Sequence, residues 1–151
     1  MNSNLVFSLR EVFLSFGKNQ LFKNLDLNIH RGHLIALTGK NGSGKSTLMR
    51  IIAEYQDIEQ GELWKQPNLN VSYFEQHFNL NEEKSIESEL TEYLSDKEQN
   101  YKIDIFCNNL LINKKDIIKN LSGGQKKRVG LIKAIIAESD ILLLDEPTNH
   151  L

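Results

Sequence analysis

The sequence predicts an α/β protein built around a mostly parallel core sheet, and three observations carry that expectation. A glycine-rich loop, GKNGSGKST at residues 39–47, stands between a short apolar run and a helical pattern. Four unbroken apolar residues, Ile141–Leu144, end in the adjacent carboxylates Asp145 and Glu146; an apolar run of this kind suits a parallel strand buried on both faces. Between these landmarks, apolar residues recur at helical spacing.

Taken in order, residues 5–9 and 12–16 are apolar, broken by Arg10 and Glu11 and closed by Gly17, and read as two strands or one bent strand. Leu25, Leu27 and Ile29 alternate with Asp26, Asn28 and His30, the period of a half-buried strand, and Arg31 and Gly32 turn the chain. Residues 34–37 form a short apolar run expected to be the strand that enters the glycine loop. Leu48, Met49, Ile51, Ile52 and Tyr55 then predict a helix. Gly61 opens a strand pair, residues 62–65 and 69–74, turned at Pro67 and Asn68. Residues 84–119 read as helical, with Ile86, Leu90 and Leu94 on one face. LSGGQ at residues 121–125 interrupts them, and Val129, Ile132 and Ile136, with Leu131 and Ile135, build a further helix.

With 151 residues, 40% hydrophobic and 25% charged, the chain fits one soluble globular domain, residues 1–151, with a core of its own. A net charge of −2 offers no bulk attraction to nucleic acid. Charge is nevertheless uneven: residues 81–98 are mostly acidic and residues 113–133 mostly basic, read as two solvated faces. The single cysteine, Cys107, excludes an internal disulfide and sits among Ile103, Ile105, Phe106 and Leu110, as a buried helix thiol would. No apolar stretch approaches the ~20 residues that span a bilayer. The N-terminus has no basic region followed by an apolar one, so the expected location is cytoplasmic.

Gly39, Gly44, Lys45 and Ser46 satisfy G-x-x-x-x-G-K-[ST] in the strand–loop–helix setting that gives this pattern meaning. Small residues across Gly39, Lys40, Asn41, Gly42, Ser43 and Gly44 let backbone N–H groups turn inward on phosphate oxygens. The helix from Lys45 through Ser46 and Thr47 adds its positive end. Lys45 is the candidate contact to the terminal phosphates and Ser46 a candidate Mg²⁺ ligand. Asp145, ending an apolar strand, supplies the second oxygen donor toward Mg²⁺. Glu146, pointing another way from the same strand end, is the candidate general base for an attacking water.

LSGGQ adds a second helix start, Ser122, Gly123, Gly124 and Gln125, with glycines that admit close approach of an anion. The first loop already accounts for one set of phosphates, so this start makes sense if it serves a nucleotide held by another domain. At this point the chain resembles the ATP-binding cassette (ABC) superfamily, whose signature is LSGGQ and whose paired domains sandwich ATP between one phosphate loop and the opposite signature. The resemblance implies an N-terminal antiparallel β region, a parallel core and a helical subdomain at about residues 80–120. It implies ATP and Mg²⁺ as cofactors and Gln76 of VSYFEQ as the Q-loop glutamine that senses metal and γ-phosphate. It matches Phe16 to the aromatic position that stacks on adenine, beside which a core phenylalanine stays open. Residues 147–151 correspond to the start of the D-loop.

SGGQKKR followed by LLLDEPTNHL looks most like the first cassette of the ABC-F class, which carries two cassettes in one chain and acts on the ribosome. The interval between Gln76 and Ser122 is short for the helical arm that many such cassettes insert there. The resemblance covers about residues 5–151. It ends before the aspartate after TNHL, the switch histidine and the second cassette, so an incomplete C-terminus is expected, and His150 is not the switch. The function implied is Mg²⁺-dependent ATP hydrolysis that requires a partner cassette. A nucleotide-binding subunit of a membrane transporter and a non-catalytic binding fragment are the alternatives.

Overall fold

A computed structural model describes residues 4–75, 79–94 and 96–147. The chain divides into two compact units, Met1–Val71 and Ser72–Leu151.

The first unit is organised by one strand, β1 (Leu5–Phe16), which lies between β2 (Asn19–His30) and β3 (Gln60–Lys65) in an antiparallel sheet of order β2-β1-β3. The two apolar segments of the sequence are thus one strand, and Arg10 and Glu11 mark an irregularity in it. Phe7 and Leu9 are buried before this point and Val12 and Leu14 after it. Leu9 pairs with Leu27 and Val12 with Leu25, so β1 advances three residues where β2 advances two, and the extra residue forms a bulge. The pairing shifts between Leu9 and Val12, Glu11 adopts φ +50°, and its N–H donates to Asp26 Oδ1 at 2.8 Å. Gly61 on β3 crosses close to this bulge. A Cβ there would stand 2.7 Å from the Arg10 carbonyl oxygen and 2.8 Å from Val12 Cα, at a φ of +104°.

Helix α1 (Lys45–Ile52) buries Leu48, Met49, Ile51 and Ile52. Tyr55, expected on the same face, is instead past its end and 61% exposed. Glu54 turns left-handed at φ +63°, and the N–H of Tyr55 bonds the Arg50 carbonyl at 2.8 Å, a cap that steers the chain out of the helix. The run at residues 34–37 is not a strand: Leu34 and Ile35 are exposed and no ladder includes them among the described residues. An apolar run becomes a strand only where a neighbour accepts its backbone hydrogen bonds, and none is paired to it here.

The strands on either side of Pro67 and Asn68 also differ from a hairpin. The turn forms, with Asn68 at φ +59° and Leu69 N–H donating to the Gln66 carbonyl at 3.2 Å. However, β3 pairs with β1, and β4 (Val71–Phe74) pairs with β5 (Ile141–Leu144) in a separate two-stranded sheet. In β5, Ile141 and Leu143 are buried while Leu142 is 38% exposed, so the strand is covered mainly on one face rather than two.

The stretch 84–119 is helical only in pieces: α2 (Ile86–Thr91), a 3₁₀ turn at Lys97–Asn100, α3 (Tyr101–Asn109) and a second 3₁₀ turn at Ile118–Asn120. Caps cut it. The Ser85 hydroxyl accepts the Ser88 N–H at 3.2 Å, and the Asp96 carboxylate accepts the Glu98 N–H at 2.9 Å. Helix α4 (Gly123–Ile136) runs as its periodicity predicts, burying Val129, Ile132 and Ile136. These meet Ile86, Leu90, Ile103, Cys107 and Ile118 in one apolar core.

The acidic and basic segments are less two solvated faces than partners. Lys119 pairs with Glu83, Lys126 with Glu82 and Lys133 with Glu89 across the two segments, while Lys84 pairs with Glu92 inside the acidic one. Lys114 bridges Glu87 of α2 and Asp104 of α3 at 2.9 and 2.7 Å, and the hydrogen bonds its ammonium donates to Asp104 and then to Glu87 raise its pKa. Most of these pairs are exposed, so water and salt screen them and they add little to stability; the exception is Lys133–Glu89, whose carboxylate is buried.

Candidate functional site

The glycine loop lies in the first unit. Gly44 caps α1 with left-handed backbone at φ +94° and offers no side-chain hydrogen bond to the helix start. A Cβ on it would stand 2.8 Å from the Phe22 ring of β2, so only glycine lets the loop lie this close to the sheet. No acidic residue occupies the first turn of α1, which leaves the positive end of the helix uncompensated by its own side chains. Lys45 folds back over the loop, its Nζ donating to the carbonyls of Gly39 at 2.9 Å and Lys40 at 3.1 Å. An ammonium has three donors, so one remains for a phosphate oxygen. The Ser43 N–H closes the loop onto the Lys40 carbonyl at 3.1 Å. Asn41, Gly42 and Ser46 are exposed, Thr47 half-buried. Phe16, at the end of β1, is 52% exposed and is no part of the core.

The carboxylate pair lies in the second unit, directly after β5. Asp145 is 5% exposed. Its N–H donates to the Phe74 carbonyl at 3.1 Å, and its Oδ2 accepts from the Tyr73 hydroxyl at 3.3 Å. Both bonds come from β4, so the strand pairing aims this carboxylate. Glu146 is half-buried with backbone at φ +46°, a conformation that costs a residue with a Cβ about 1–3 kcal/mol and persists only where its surroundings impose it. Lys127 of α4 donates from Nζ to the Glu146 carbonyl at 3.1 Å.

The signature segment opens α4 with a reciprocal capping box. The Ser122 hydroxyl accepts the Gln125 N–H at 3.2 Å, and the Gln125 side-chain oxygen accepts the Ser122 N–H at 2.8 Å. A Cβ on Gly123 would meet nothing within 4 Å. Packing within the described residues therefore does not require a glycine there. Ser122 and Gly123 are exposed, Gly124 and Gln125 half-buried.

The predicted residues thus gather in local groups: Gly39, Lys40 and Lys45 in the loop, Ser122 and Gln125 at the cap, Asp145 beside Glu146 at the strand end. Phe16 and the loop belong to the first unit, the carboxylates and signature to the second. Gln76 and residues 148–151, with His150, lie outside the described residues. Two contributors escaped the sequence reading, Tyr73 and Lys127. Tyr73 reads as an ordinary strand residue; Lys127, in a basic run, reads as surface charge.

Oxygen donors of this type, the Ser46 hydroxyl and the Asp145 carboxylate, suit a hard divalent cation such as Mg²⁺. Among the described residues no helix is long and apolar enough to cross a membrane.

Known proteins place these groups in one family. The chain is 37% identical over 152 residues to ATP-binding protein Uup of Buchnera aphidicola subsp. Schizaphis graminum, covering 95% of this chain and 26% of that one. It is 36% identical over 151 residues to ribosome protection protein VmlR of Bacillus subtilis, with the same coverage of 95% and 26%. It therefore spans about a quarter of the length of these relatives. Among solved structures, the ATP-binding subunit of an ABC transporter superposes with a TM-score of 0.81 at 20% identity, covering 97% of this chain and 68% of that one, which shows the shared fold. The family model described as ABC transporter matches residues 22–149, from β2 through the carboxylates, and the chain belongs to that family as an ATP-binding cassette.

Proposed function

We propose that this chain binds ATP and, with Mg²⁺, hydrolyses it as an ABC-F-type cassette that needs a partner cassette for full turnover. The observation that carries this reading is the Lys45 ammonium, held by the Gly39 and Lys40 carbonyls at the start of α1 with a donor to spare. Lys45 and the amides of residues 39–47 take the β- and γ-phosphates, and Phe16 offers its exposed ring to the adenine. Ser46 and Asp145, with Gln76 by family resemblance, are the ligands for Mg²⁺, which when bound neutralises charge on the phosphate oxygens. Glu146 accepts the proton of the attacking water as that water's oxygen bonds to the γ-phosphorus. The bond from this phosphorus to the bridging oxygen breaks, leaving ADP and phosphate.

Ser122, Gly123, Gly124 and Gln125 serve the nucleotide of a partner cassette, a role the open space at Gly123 supports. The two compact units are parts of one nucleotide-binding domain, its helical subdomain at about residues 80–120. The similarity to VmlR, whose name declares ribosome protection, supports the ribosome as the biological partner and a cytoplasmic location.

The test is single-turnover hydrolysis in the full-length protein. Glu146→Gln keeps ATP binding and slows hydrolysis by about 10²–10⁴-fold, the usual contribution of a positioned base. Undiminished turnover in this variant removes Glu146 from the role. Co-sedimentation with ribosomes is expected; recovery with membrane subunits instead overturns the ABC-F assignment.

A further inference from the structure

Glu146 follows directly on the hydrogen-bonded residue Asp145 at the end of the ladder. The Asp145 N–H still donates to the Phe74 carbonyl at 3.1 Å; Glu146 follows with left-handed backbone, φ +46°. The peptide unit leading out of Glu146 ends on Pro147, which has no N–H. Its carbonyl is therefore the one backbone hydrogen-bonding group by which that unit can be held. Lys127 donates to this carbonyl at 3.1 Å, from a position 19 residues earlier in sequence.

The donor comes from a well-anchored element. Lys127 is half-buried, one helical turn beyond Gly123, on a helix fixed by the burial of Val129, Ile132 and Ile136. A charged donor to a carbonyl forms a stronger bond than a neutral one. Asp145 holds the chain on the N-terminal side of Glu146 and Lys127 holds the carbonyl on the other; with both sides of its Cα fixed, so is the direction in which the side chain leaves the strand end.

We propose that Lys127 is a positioning residue for Glu146, tying the aim of the catalytic carboxylate to the helix that begins at the signature. The proposal rests on Glu146 acting as the general base. In this arrangement a shift of α4 when its N-terminus engages the partner's nucleotide is passed through one side chain to the group that orients water.

The experiment is single-turnover hydrolysis, with ATP affinity measured separately, in the full-length protein. Lys127→Met removes the donor while keeping the aliphatic length. Hydrolysis should fall by about 10–100-fold, the scale of a misplaced reacting group, with ATP affinity unchanged. Lys127→Arg, which keeps a cationic donor, should recover most of the rate. Lys127→Leu, which also lacks a donor, replaces the methionine variant if that one has a lowered thermal midpoint. The deciding comparison is the double variant: in a Glu146→Gln background, Lys127→Met should cause no further loss, because its effect runs through Glu146. A wild-type rate for Lys127→Met, or an equal drop in both backgrounds, overturns the proposal. Full turnover by Glu146→Gln alone is a different failure, since it removes the base assignment underneath.

Discussion

The Tyr73 hydroxyl stands 3.3 Å from Asp145 Oδ2, a hydrogen bond between side chains 72 residues apart in sequence. It joins β4 to the end of β5 and orients a carboxylate that is almost wholly buried. At 3.3 Å it is longer than the usual O–H···O distance, so its contribution is about 1 kcal/mol or less.

Tyr73→Phe should therefore raise the Mg²⁺ concentration that half-saturates ATP hydrolysis by at most about fivefold, and leave the rate at saturating Mg²⁺ near its original value. A Mg²⁺ titration of turnover reads this directly. A large loss at saturating Mg²⁺ would show that the phenol does more than orient the proposed metal ligand.

Lys45→Ala removes the ammonium that the Gly39 and Lys40 carbonyls hold inside the loop. Nucleotide affinity, measured by calorimetry, should drop by at least about tenfold, the scale of one lost charge-assisted hydrogen bond. Unchanged affinity counts against the whole phosphate assignment.

Glu89 is 3% exposed and its carboxylate accepts from Lys133 Nζ at 3.0 Å. Lys133 also donates to the Asn79 carbonyl at 2.9 Å and lies 4.1 Å from the centre of the Tyr93 ring. Lys133→Met leaves a buried carboxylate without its cation and should destabilise the protein by about 3–5 kcal/mol in chemical denaturation. The double change Glu89→Gln with Lys133→Met should recover a good part of this loss, since no uncompensated charge is then buried.

Burial, reinforced by the nearby Asp104 carboxylate, pushes the Cys107 thiol up to about 11 from an ordinary 9.0. At pH 8 about one thiol in a thousand is then ionised in the native state, so iodoacetamide should react slowly until denaturant opens the core. The native state holds this proton more tightly than the unfolded chain. The associated stability is fully present below pH 9 and declines as pH rises toward about 11. A Cys107→Ala variant should lose that part of the alkaline decline in urea unfolding.

What was legible in the sequence was whatever depends on neighbours in the chain. The phosphate loop, the capped signature helix and the carboxylates at a strand end read directly, because backbone freedom at glycine, side-chain caps and apolar periodicity act over a few residues. The break at Arg10 and Glu11 was legible too, although whether it divided two strands or bent one was not. Lys45 turning back on its own loop is also a local event, six residues from Gly39.

Pairings across long stretches were not legible. Residues 34–37 have the composition of a strand, but whether such a run joins a sheet depends on a partner elsewhere. The turn at Pro67 and Asn68 formed as its residues dictate, yet β3 went to β1 and β4 to β5, because ladders are chosen by burial across the fold rather than by the turn between them. Acidic and basic runs that look like separate surfaces proved to neutralise each other.

The sequence by itself therefore determined the family, the chemistry available at each motif and the local form of each loop and cap, since these follow from residue type and short-range geometry. The tertiary structure decided which strands pair, which charges meet, and that Tyr73 and Lys127 reach Asp145 and Glu146. Those contacts join residues distant in the chain, and only the packing that buries both ends brings them within hydrogen-bonding reach.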